Sequence, residues 1–204
     1  MSRRWLALLW CAAACSRRHE PAPATAEAFC RRFEPGPGLE LAHVRTSAPV
    51  YADEDGCPAE EPRCKTGELA AGDEVVIGAH IGALACITRG DISGWTPERA
   101  LEPASPVPGR TWVGTWSQDA NHITITQAGD ALEVRAHAEW HGGGDNVHIG
   151  DVTGRGTPDA AGSLAIEEYP CKLRLRMIGR YLIVADNRDC GGVNVRFSGP
   201  FVAP

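Results

Sequence analysis

The chain has 204 residues, of which 43% are hydrophobic and 23% charged, and its formal net charge is −6 at pH 7. An acidic surface repels nucleic acid and anionic lipid headgroups, so the composition argues against both as partners and permits a basic protein or a cationic ligand. Glycine and proline are abundant, aromatic residues are few, and long helical patterns are missing. These features predict short strands joined by many turns, and therefore an all-β protein.

The first 15 residues, MSRRWLALLWCAAAC, have the pattern of a bacterial export signal that ends in a lipobox. Two arginines precede an apolar run of about ten residues, which is too short to span a bilayer, and small residues lead into Cys15. We expect residues 1–14 to be removed and Cys15 to carry a lipid anchor such as palmitate. Cleavage after Ala14 without lipidation is the alternative, because Ala12 stands where such signals prefer leucine. The signal predicts a protein anchored in the bacterial cell envelope, facing the periplasm or the cell surface.

Cysteine usage agrees with an oxidising compartment. Of the eight cysteines, one leaves with the signal and one is assigned to the anchor, so six remain. Six cysteines can form three disulfides in fifteen different ways. Local geometry favours one pair across a single loop and one pair between neighbouring strands. The predicted pairs are Cys57 with Cys64, Cys171 with Cys190 and, by elimination, Cys30 with Cys86. With these pairs formed, no thiol remains for catalysis.

Polar and proline-rich segments divide the rest of the chain. Residues 15–38 begin with an alanine- and proline-rich stretch without periodicity, which predicts a flexible tether behind the lipidated cysteine. Three prolines between residues 102 and 110 cannot continue a β-ladder, and we place a linker at residues 104–110. The predicted folded domains are therefore residues 39–103 and residues 111–204.

Short apolar runs bounded by turn residues predict the strands of both domains. The runs lie at residues 42–44, 74–77, 84–88 and 92–95 in the first domain, and at residues 122–126, 132–140, 164–166, 173–178, 181–185 and 193–197 in the second. Apolar and basic side chains alternate in residues 172–177, which is typical of a half-buried antiparallel strand with a charged outer face.

The first domain resembles the bacterial SH3-like domains of envelope proteins. The matching pieces are VRTSAPVYADED, ELAAGDEVVIGAHIGALACI and GDISGWTPERALEP, the last containing the Gly94–Trp95 step into the closing strand. The resemblance implies a small barrel that attaches proteins to cell-wall glycan or peptide, or that holds other domains apart. This chain departs from the family by an acidic insertion between Asp53 and Cys64, and it lacks the aromatic cluster that reads proline-rich peptides.

The second domain opens with Gly114, Thr115 and Trp116, which resembles the G-x-W opening of lipocalin-like barrels. The resemblance implies an antiparallel meander barrel closed at one end by the tryptophan, with Arg196 of the last strand stacked against it. At the level of architecture the domain also resembles periplasmic lysozyme inhibitors, which are small disulfide-bearing β-barrels. No residues here match their inhibitory motif.

Two groups of polar residues suggest metal sites, and in both the sequence favours another interpretation. His137, His141, Asp145 and His148 lie close in sequence, but a triple glycine follows His141 and is expected to end the strand, which favours solvated loop histidines. Residues 150–159 are similar to a calcium loop, but an arginine stands where an oxygen ligand is needed. We predict no metal and no cofactor.

We predict a non-enzymatic envelope lipoprotein that binds peptidoglycan or an envelope protein, with membrane contact through the anchor only and no nucleic-acid partner. An enzyme is not predicted, because no nucleophile, base and orienting residue can be named together. One alternative is a lysozyme-inhibitor-like protein whose acidic surface binds a basic enzyme, and another is an apolar ligand inside the second barrel. The loop around Asp186 and Asn187 is interpreted as a structural turn in preference to a partner-binding loop. The candidate binding residues are Asp53, Glu54, Asp55, Trp95, Asp186 and Asn187. For Trp95, a core or seam position is favoured over a ring on which a sugar stacks.

Overall fold

The computed structural model describes residues 30, 38–54, 57, 60–90, 92–105 and 111–203. The predicted signal at residues 1–14, Cys15 and nearly all of the predicted tether lie outside these residues, as do Asp55 and residues 106–110 of the predicted linker. Within the described part of the chain, no helix has the length and apolar character needed to cross a membrane.

The fold is all-β, as predicted. Its strands are β1 (Glu40–Val44), β2 (Ala48–Tyr51), β3 (Lys65–Leu69), β4 (Glu74–Ile81), β5 (Leu84–Thr88), β6 (Ser93–Pro97), β7 (Leu101–Pro103), β8 (Gly114–Gln118), β9 (Asn121–Ala128), β10 (Ala131–His141), β11 (Val147–Gly156), β12 (Ser163–Glu168), β13 (Cys171–Ile178), β14 (Tyr181–Asp186) and β15 (Gly199–Val202). Short 3-10 turns at Pro62–Cys64 and Glu98–Ala100 complete the regular structure that is described.

The first sheet contains seven antiparallel strands in the order β3-β2-β6-β5-β4-β1-β7. In β4 the consecutive Val75, Val76 and Ile77 are all buried, because apolar residues pack against both faces of this strand. Val75 and Ile77 belong to the internal core of the sheet, whereas Val76 belongs to a second cluster that includes residues of the other sheet. Burial on both faces explains why β4 reads as a continuous apolar run.

The second sheet contains eight antiparallel strands in the order β11-β10-β9-β8-β15-β14-β13-β12. Chain neighbours are therefore neighbours in the sheet, and β15 returns to β8 with Val202 opposite Ser117. The edge strands β11 and β12 approach each other closely, because a Cβ at Gly154 would lie 2.5 Å from Ile166 Cγ2. The Thr153 backbone N–H also donates to a Glu168 carboxylate oxygen at 2.6 Å. The sheet is thus an up-and-down meander that is nearly closed into a barrel.

Side chains fill the interior of this second barrel. Trp116, Phe197 and Phe201 are at most 2% exposed and pack with alternate residues of β9, β10, β13 and β14. A filled interior argues against an apolar ligand held inside the barrel.

Two segments of the second sheet differ from their predicted structure. Residues 193–197 were predicted as the last strand, but they form an irregular segment with Asn194 at φ 69°, and the last strand is β15. Arg196 therefore does not project from a strand toward Trp116, and its guanidinium donates instead to the Val195 carbonyl at 2.7 Å. Val147–Gly156 forms β11, which was not among the predicted strands, and the glycines of this strand allow close packing against β12 and the 190–195 loop.

The two sheets pack against each other through the outer face of β14. Tyr181 and Ile183 of β14 are completely buried in one apolar cluster with Leu41 and Val76 of the first sheet. The Tyr181 hydroxyl donates to the Glu74 carbonyl at 2.7 Å. Burial raises the pKa of this phenol, so it remains a neutral donor at physiological pH.

Gly179, in the turn between β13 and β14, sits directly against the first sheet. Its φ is 54°, and a Cβ there would lie 2.7 Å from Leu41 Cδ1 and 2.9 Å from Glu74 Oε1. Replacement of Gly179 by alanine should therefore lower the free energy of unfolding through both backbone strain and a clash between the sheets. The matched control is Gly129→Ala, at φ 67° in the β9–β10 turn with no atom within 4 Å of its Cβ position.

We expect Gly179→Ala to lower the free energy of unfolding by roughly 2 kcal/mol more than Gly129→Ala does. The difference arises because only Gly179→Ala overpacks the contact with the first sheet. Urea unfolding of both variants measures this difference. Equal losses would contradict the direct contact between the turn and the first sheet.

The structure contains the three predicted disulfides. The Cα–Cα distances are 5.3 Å for Cys30–Cys86, 5.9 Å for Cys57–Cys64 and 4.4 Å for Cys171–Cys190. The first bridge links Cys30 to β5, the second closes the acidic insertion, and the third joins β13 to the loop that precedes β15.

Candidate binding cleft between the two sheets

Trp95 and Asp53, two of the candidate binding residues, form a buried pair. Trp95 is completely buried in β6, and its indole N–H donates to Asp53 Oδ1 at 2.9 Å. Only 8% of Asp53 is exposed. Trp95 therefore acts as a packing residue in the structure and does not offer its ring to a ligand, which corrects its assignment as a binding residue.

The acidic insertion is largely compensated by arginines. Glu60 accepts two hydrogen bonds from the Arg99 guanidinium, at 2.9 and 2.8 Å, and these hydrogen bonds lower the pKa of Glu60. Glu61 accepts a hydrogen bond from Arg63 at 2.6 Å. Asp55 lies outside the described residues, and Glu54 is exposed. The insertion therefore offers less free negative charge than its composition indicates.

Asp186 and Asn187 hold the loop that precedes β15. Asp186 Oδ2 accepts hydrogen bonds from the backbone N–H groups of Phe197 at 2.7 Å and Ser198 at 2.9 Å. Asn187 accepts from the Lys172 N–H at 3.0 Å and donates to the Pro170 carbonyl at 2.8 Å. Side chains engaged in this way organise the turn, in agreement with the favoured structural interpretation.

A cleft lies between the first sheet and the β8–β15 side of the second sheet. It consists of two adjoining parts of about 400 and 460 Å³. Both parts are lined by Gly90 of the β5–β6 turn, Gln118 of β8 and Pro200 of β15, so they adjoin each other at these residues. The second sheet alone does not form this groove, because Gly90 and other lining residues come from the first.

The two ends of this cleft are lined by different charged residues. Arg89 and Arg180 line one end together with Asp119, and Asp53 and Glu54 line the other. Arg89 makes an ion pair with Asp73 at 2.7 Å. The Arg180 guanidinium lies 5.3 Å from the centroid of the Tyr181 ring and is exposed. Glu74 Oε1 accepts from the Arg180 backbone N–H at 3.2 Å, so the Arg180 end combines two arginines with three nearby carboxylates, whereas Asp53 and Glu54 are carboxylates alone.

Sequence reasoning found only one end of the cleft. Asp53 and Glu54 were noticed because they belong to an acidic run, whereas Arg89 and Arg180 are single arginines in short turns. A hairpin turn that contains glycine and arginine is a common surface feature, and it gives no local sign of a ligand site. The positions of these arginines near Pro200 result from the packing of the two sheets.

A second polar cluster lies on the outer face of β10 and β11. β10 continues to His141, so His137, Glu139 and His141 share this face, and the prediction of loop histidines was wrong. His137 Nδ1 lies 2.7 Å from Asp151 Oδ1 and its Nε2 lies 3.1 Å from Glu139 Oε1. His141 Nε2 lies 2.8 Å from Glu139 Oε2. Hydrogen bonds to Asp151 and then to Glu139 raise the pKa of His137.

This cluster gives a pH-dependent prediction. Because folding raises the pKa of His137, its protonated form stabilises the folded protein below the pKa of an unfolded histidine, and that stabilisation is lost as the pH rises through the folded pKa. Asp151→Asn should lower the pKa of His137, as followed by NMR titration of the imidazole. Asp145→Asn, which removes a carboxylate of the nearby β10–β11 turn, is the control and should leave the titration unchanged. An unchanged pKa in Asp151→Asn would contradict the Asp151 contact.

The described residues contain no group of three or more His, Cys, Asp or Glu side chains arranged to hold a metal ion. The fold defines an all-β protein of two antiparallel sheets, the second nearly closed into a barrel. Comparison with protein-family models, with curated proteins and with solved structures finds no match. The cleft, with Arg180 exposed in one part and Glu54 exposed in the other, is thus the feature of the described residues from which a function can be argued.

Proposed function

We propose that the protein is a non-enzymatic binding module of the bacterial cell envelope, that peptidoglycan is its ligand, and that the cleft between the two sheets is the binding site. The observation that carries this proposal is the cleft of two adjoining parts to which both sheets contribute, with the exposed Arg180 in one part and the exposed Glu54 in the other. Binding sites are commonly concave and lie where two structural units meet.

Two features support a location in the envelope. The first 15 residues have the export-signal pattern with Cys15 as the lipidated residue. Three disulfides are formed, and such bonds persist in oxidising compartments such as the periplasm or the cell surface. A lipid-anchored protein in this location is held close to the cell wall.

Peptidoglycan suits the charge distribution of the cleft. The polymer carries both carboxylate and amino groups on its peptides, so a ligand segment from it can satisfy both ends of the groove. The exposed Arg180 is essential to this proposal, because a protein with a net charge of −6 otherwise repels carboxylates.

The structure gives less support to the lysozyme-inhibitor alternative. That alternative relies on a free acidic surface around Cys57, but Glu60 and Glu61 of this region are paired with Arg99 and Arg63. Exposed ion pairs of this kind reduce the field that steers a basic partner.

Co-sedimentation of the oxidised protein with purified sacculi tests the proposal. Arg180→Gln should weaken retention about tenfold, which corresponds to the loss of one charge-assisted hydrogen bond. Arg174→Gln is the matched control, since Arg174 is an exposed arginine of β13 that does not line the cleft, and it should bind as the wild type does.

Wild-type retention no greater than that of a reduced and unfolded sample would refute the proposal. Retention of the protein by lysozyme, and not by sacculi, would instead support the alternative.

A further inference from the structure

Most of the exposed apolar side chains lie at one end of the second barrel. Six large apolar or aromatic side chains are exposed among the described residues, and four of them are Val147, Ile149, Tyr169 and Val193. They belong to the start of β11, to the β12–β13 turn and to the loop between β14 and β15. Every second connection of an up-and-down meander falls at the same end of the barrel, so these segments are neighbours. We call the surface that carries these four side chains the apolar end patch.

Contacts join β11 to the loop that carries Val193. The Gly192 N–H donates to the Ile149 carbonyl at 3.1 Å. His148 Nδ1 lies 2.6 Å from the Val193 carbonyl oxygen. Val147, Ile149 and Val193 are therefore exposed on adjoining segments. Isolated exposed apolar residues are common on protein surfaces, whereas a group of them marks an interaction surface.

The turn that carries Tyr169 is held by the same loop. The Cys171–Cys190 disulfide joins the two, and Asn187 of the loop forms hydrogen bonds of 2.8 and 3.0 Å with main-chain groups on either side of Cys171. Tyr169 itself is 99% exposed. A tyrosine has few rotatable bonds and the main chain around it is fixed, so little conformational entropy is lost when a partner covers it.

Carboxylates outnumber cationic side chains around the apolar end patch. Residues 139–151, 166–174 and 185–195, which carry the patch, contain seven Asp and Glu residues and three Lys and Arg residues, so carboxylates exceed these cations by four. Asp145, Glu168 and Asp189 are exposed, and none of the three forms an ion pair with a cationic side chain of the described residues. In the acidic insertion of the first sheet, by contrast, two glutamates are paired with arginines.

The cationic groups of these segments do not remove the excess of carboxylates. Lys172 Nζ lies 3.9 Å from Glu167 Oε1 and offsets that carboxylate. Arg174 lies further along β13, away from the turn, and Arg188 is exposed in the loop and offsets at most one carboxylate. When it is protonated, His137 offsets one more on β11. The rim of the apolar end patch is therefore anionic.

We infer that the apolar end patch binds a basic protein, whose apolar side chains cover the patch and whose Lys and Arg side chains face the carboxylates of the rim. A second copy of this chain would place two acidic rims against each other, and an anionic lipid surface would be repelled for the same reason. A basic partner gains from both the apolar surface and the charge. None of the four side chains lines the cleft, so this inference goes beyond the proposed function and does not depend on it.

Three heptapeptides with acetylated and amidated ends probe the chemistry of the patch. The first is Lys-Leu-Lys-Ile-Lys-Leu-Lys, the second has Glu at each Lys position, and the third has Ser at each apolar position. Fluorescence anisotropy of the labelled peptides measures their binding to the oxidised full-length protein. The basic apolar peptide should bind about tenfold more tightly than either of the others, because only this peptide suits both the apolar surface and the rim.

Substitutions locate the bound peptide. Ile149→Gln and Val193→Gln should each weaken binding of the basic apolar peptide about tenfold, because a polar side chain replaces an apolar one that the peptide covers. Ile81→Gln is the matched control, since Ile81 is 41% exposed in β4 of the first sheet, and it should bind as the wild type does. Asp189→Asn should weaken binding about threefold, whereas Glu102→Gln, which changes an exposed carboxylate of β7, should not.

Equal binding of the three peptides would overturn the inference, as would unchanged binding to both Ile149→Gln and Val193→Gln. Sedimentation equilibrium and vesicle binding test the other occupants. A wild-type dimer that Ile149→Gln dissociates would assign the patch to a second copy of the chain, and binding to phosphatidylcholine vesicles that Ile149→Gln abolishes would assign it to lipid. Either result would overturn the inference and leave the proposed function standing. Failure of the wild type to bind sacculi would remove the proposed function and leave this inference standing.

Discussion

Replacement of Trp95 by alanine is expected to lower the free energy of unfolding by about 4 kcal/mol, as found when large aromatic side chains are removed from protein cores. The side chain is completely buried and belongs to the cluster that includes Tyr51, Cys86 and Tyr181, so its removal leaves a cavity where the two sheets meet. The same change removes the indole N–H that donates to Asp53 at 2.9 Å. Urea unfolding with tryptophan fluorescence from the remaining indoles measures the loss.

Trp95→Phe separates packing from hydrogen bonding. It retains most of the apolar volume but removes the N–H that donates to Asp53, so a buried carboxylate loses a hydrogen bond. We therefore expect a smaller fall in the free energy of unfolding, of about 2 kcal/mol. A Trp95→Ala variant within 1 kcal/mol of the wild type would be incompatible with the buried position. Because Asp53 also lines the cleft, Trp95→Phe should weaken ligand binding at the anionic end as well.

Removal of the Cys30–Cys86 disulfide by a double alanine substitution should cost about 4 kcal/mol. The two cysteines are 56 residues apart in sequence, so their bond restricts a long loop of the unfolded chain, and the loop-closure relation gives a stabilisation of this size. Both cysteines are buried, and Cys30 lines the anionic part of the cleft. We therefore expect the double variant to lose ligand binding as well as stability.

The other two disulfides provide the controls. The same relation gives about 3 kcal/mol for Cys171–Cys190, with a separation of 19 residues, and about 2 kcal/mol for Cys57–Cys64, with a separation of 7. Urea unfolding of the three double alanine variants under non-reducing conditions should show losses in this order. A reversed order would mean that native contacts, and not loop closure, dominate the contribution of these bonds.

Together these predictions relate stability to the proposed function. Trp95, Cys30 and Asp53 lie under or beside one end of the cleft, and each is buried. Arg180 and Glu54 are exposed in the same cleft. Changes to the first group should reduce both stability and binding, whereas changes to the second group should reduce binding alone.

The predicted strands show where local pattern was sufficient. In β13 apolar and basic residues alternate because one face packs in the barrel and the other meets solvent, so the two-residue period is visible in the sequence. The cysteine pairs were predictable for a related reason. Two of the three bridges join residues that are near in sequence, and the third remained by elimination.

β11 shows where local pattern was not sufficient. Its glycines have little strand propensity, and they occur because β12 and the 190–195 loop come too close for a side chain. Residues 193–197 show the opposite case. Val195 and Phe197 are buried in the barrel core from an irregular segment, so an alternating apolar pattern arose without a strand.

The sequence by itself determined the all-β class, most strands, the cysteine pairs and the turn at Asp186, because each depends on residues close in the chain or on a short repeating pattern. Only the tertiary structure decided that the Trp95 indole donates to Asp53, that His137 lies between two carboxylates, and that Arg180 and Glu54 line adjoining parts of one cleft. These relations join residues on different strands or different sheets. They depend on strand register and on the packing of β14 against the first sheet, which local sequence patterns do not encode.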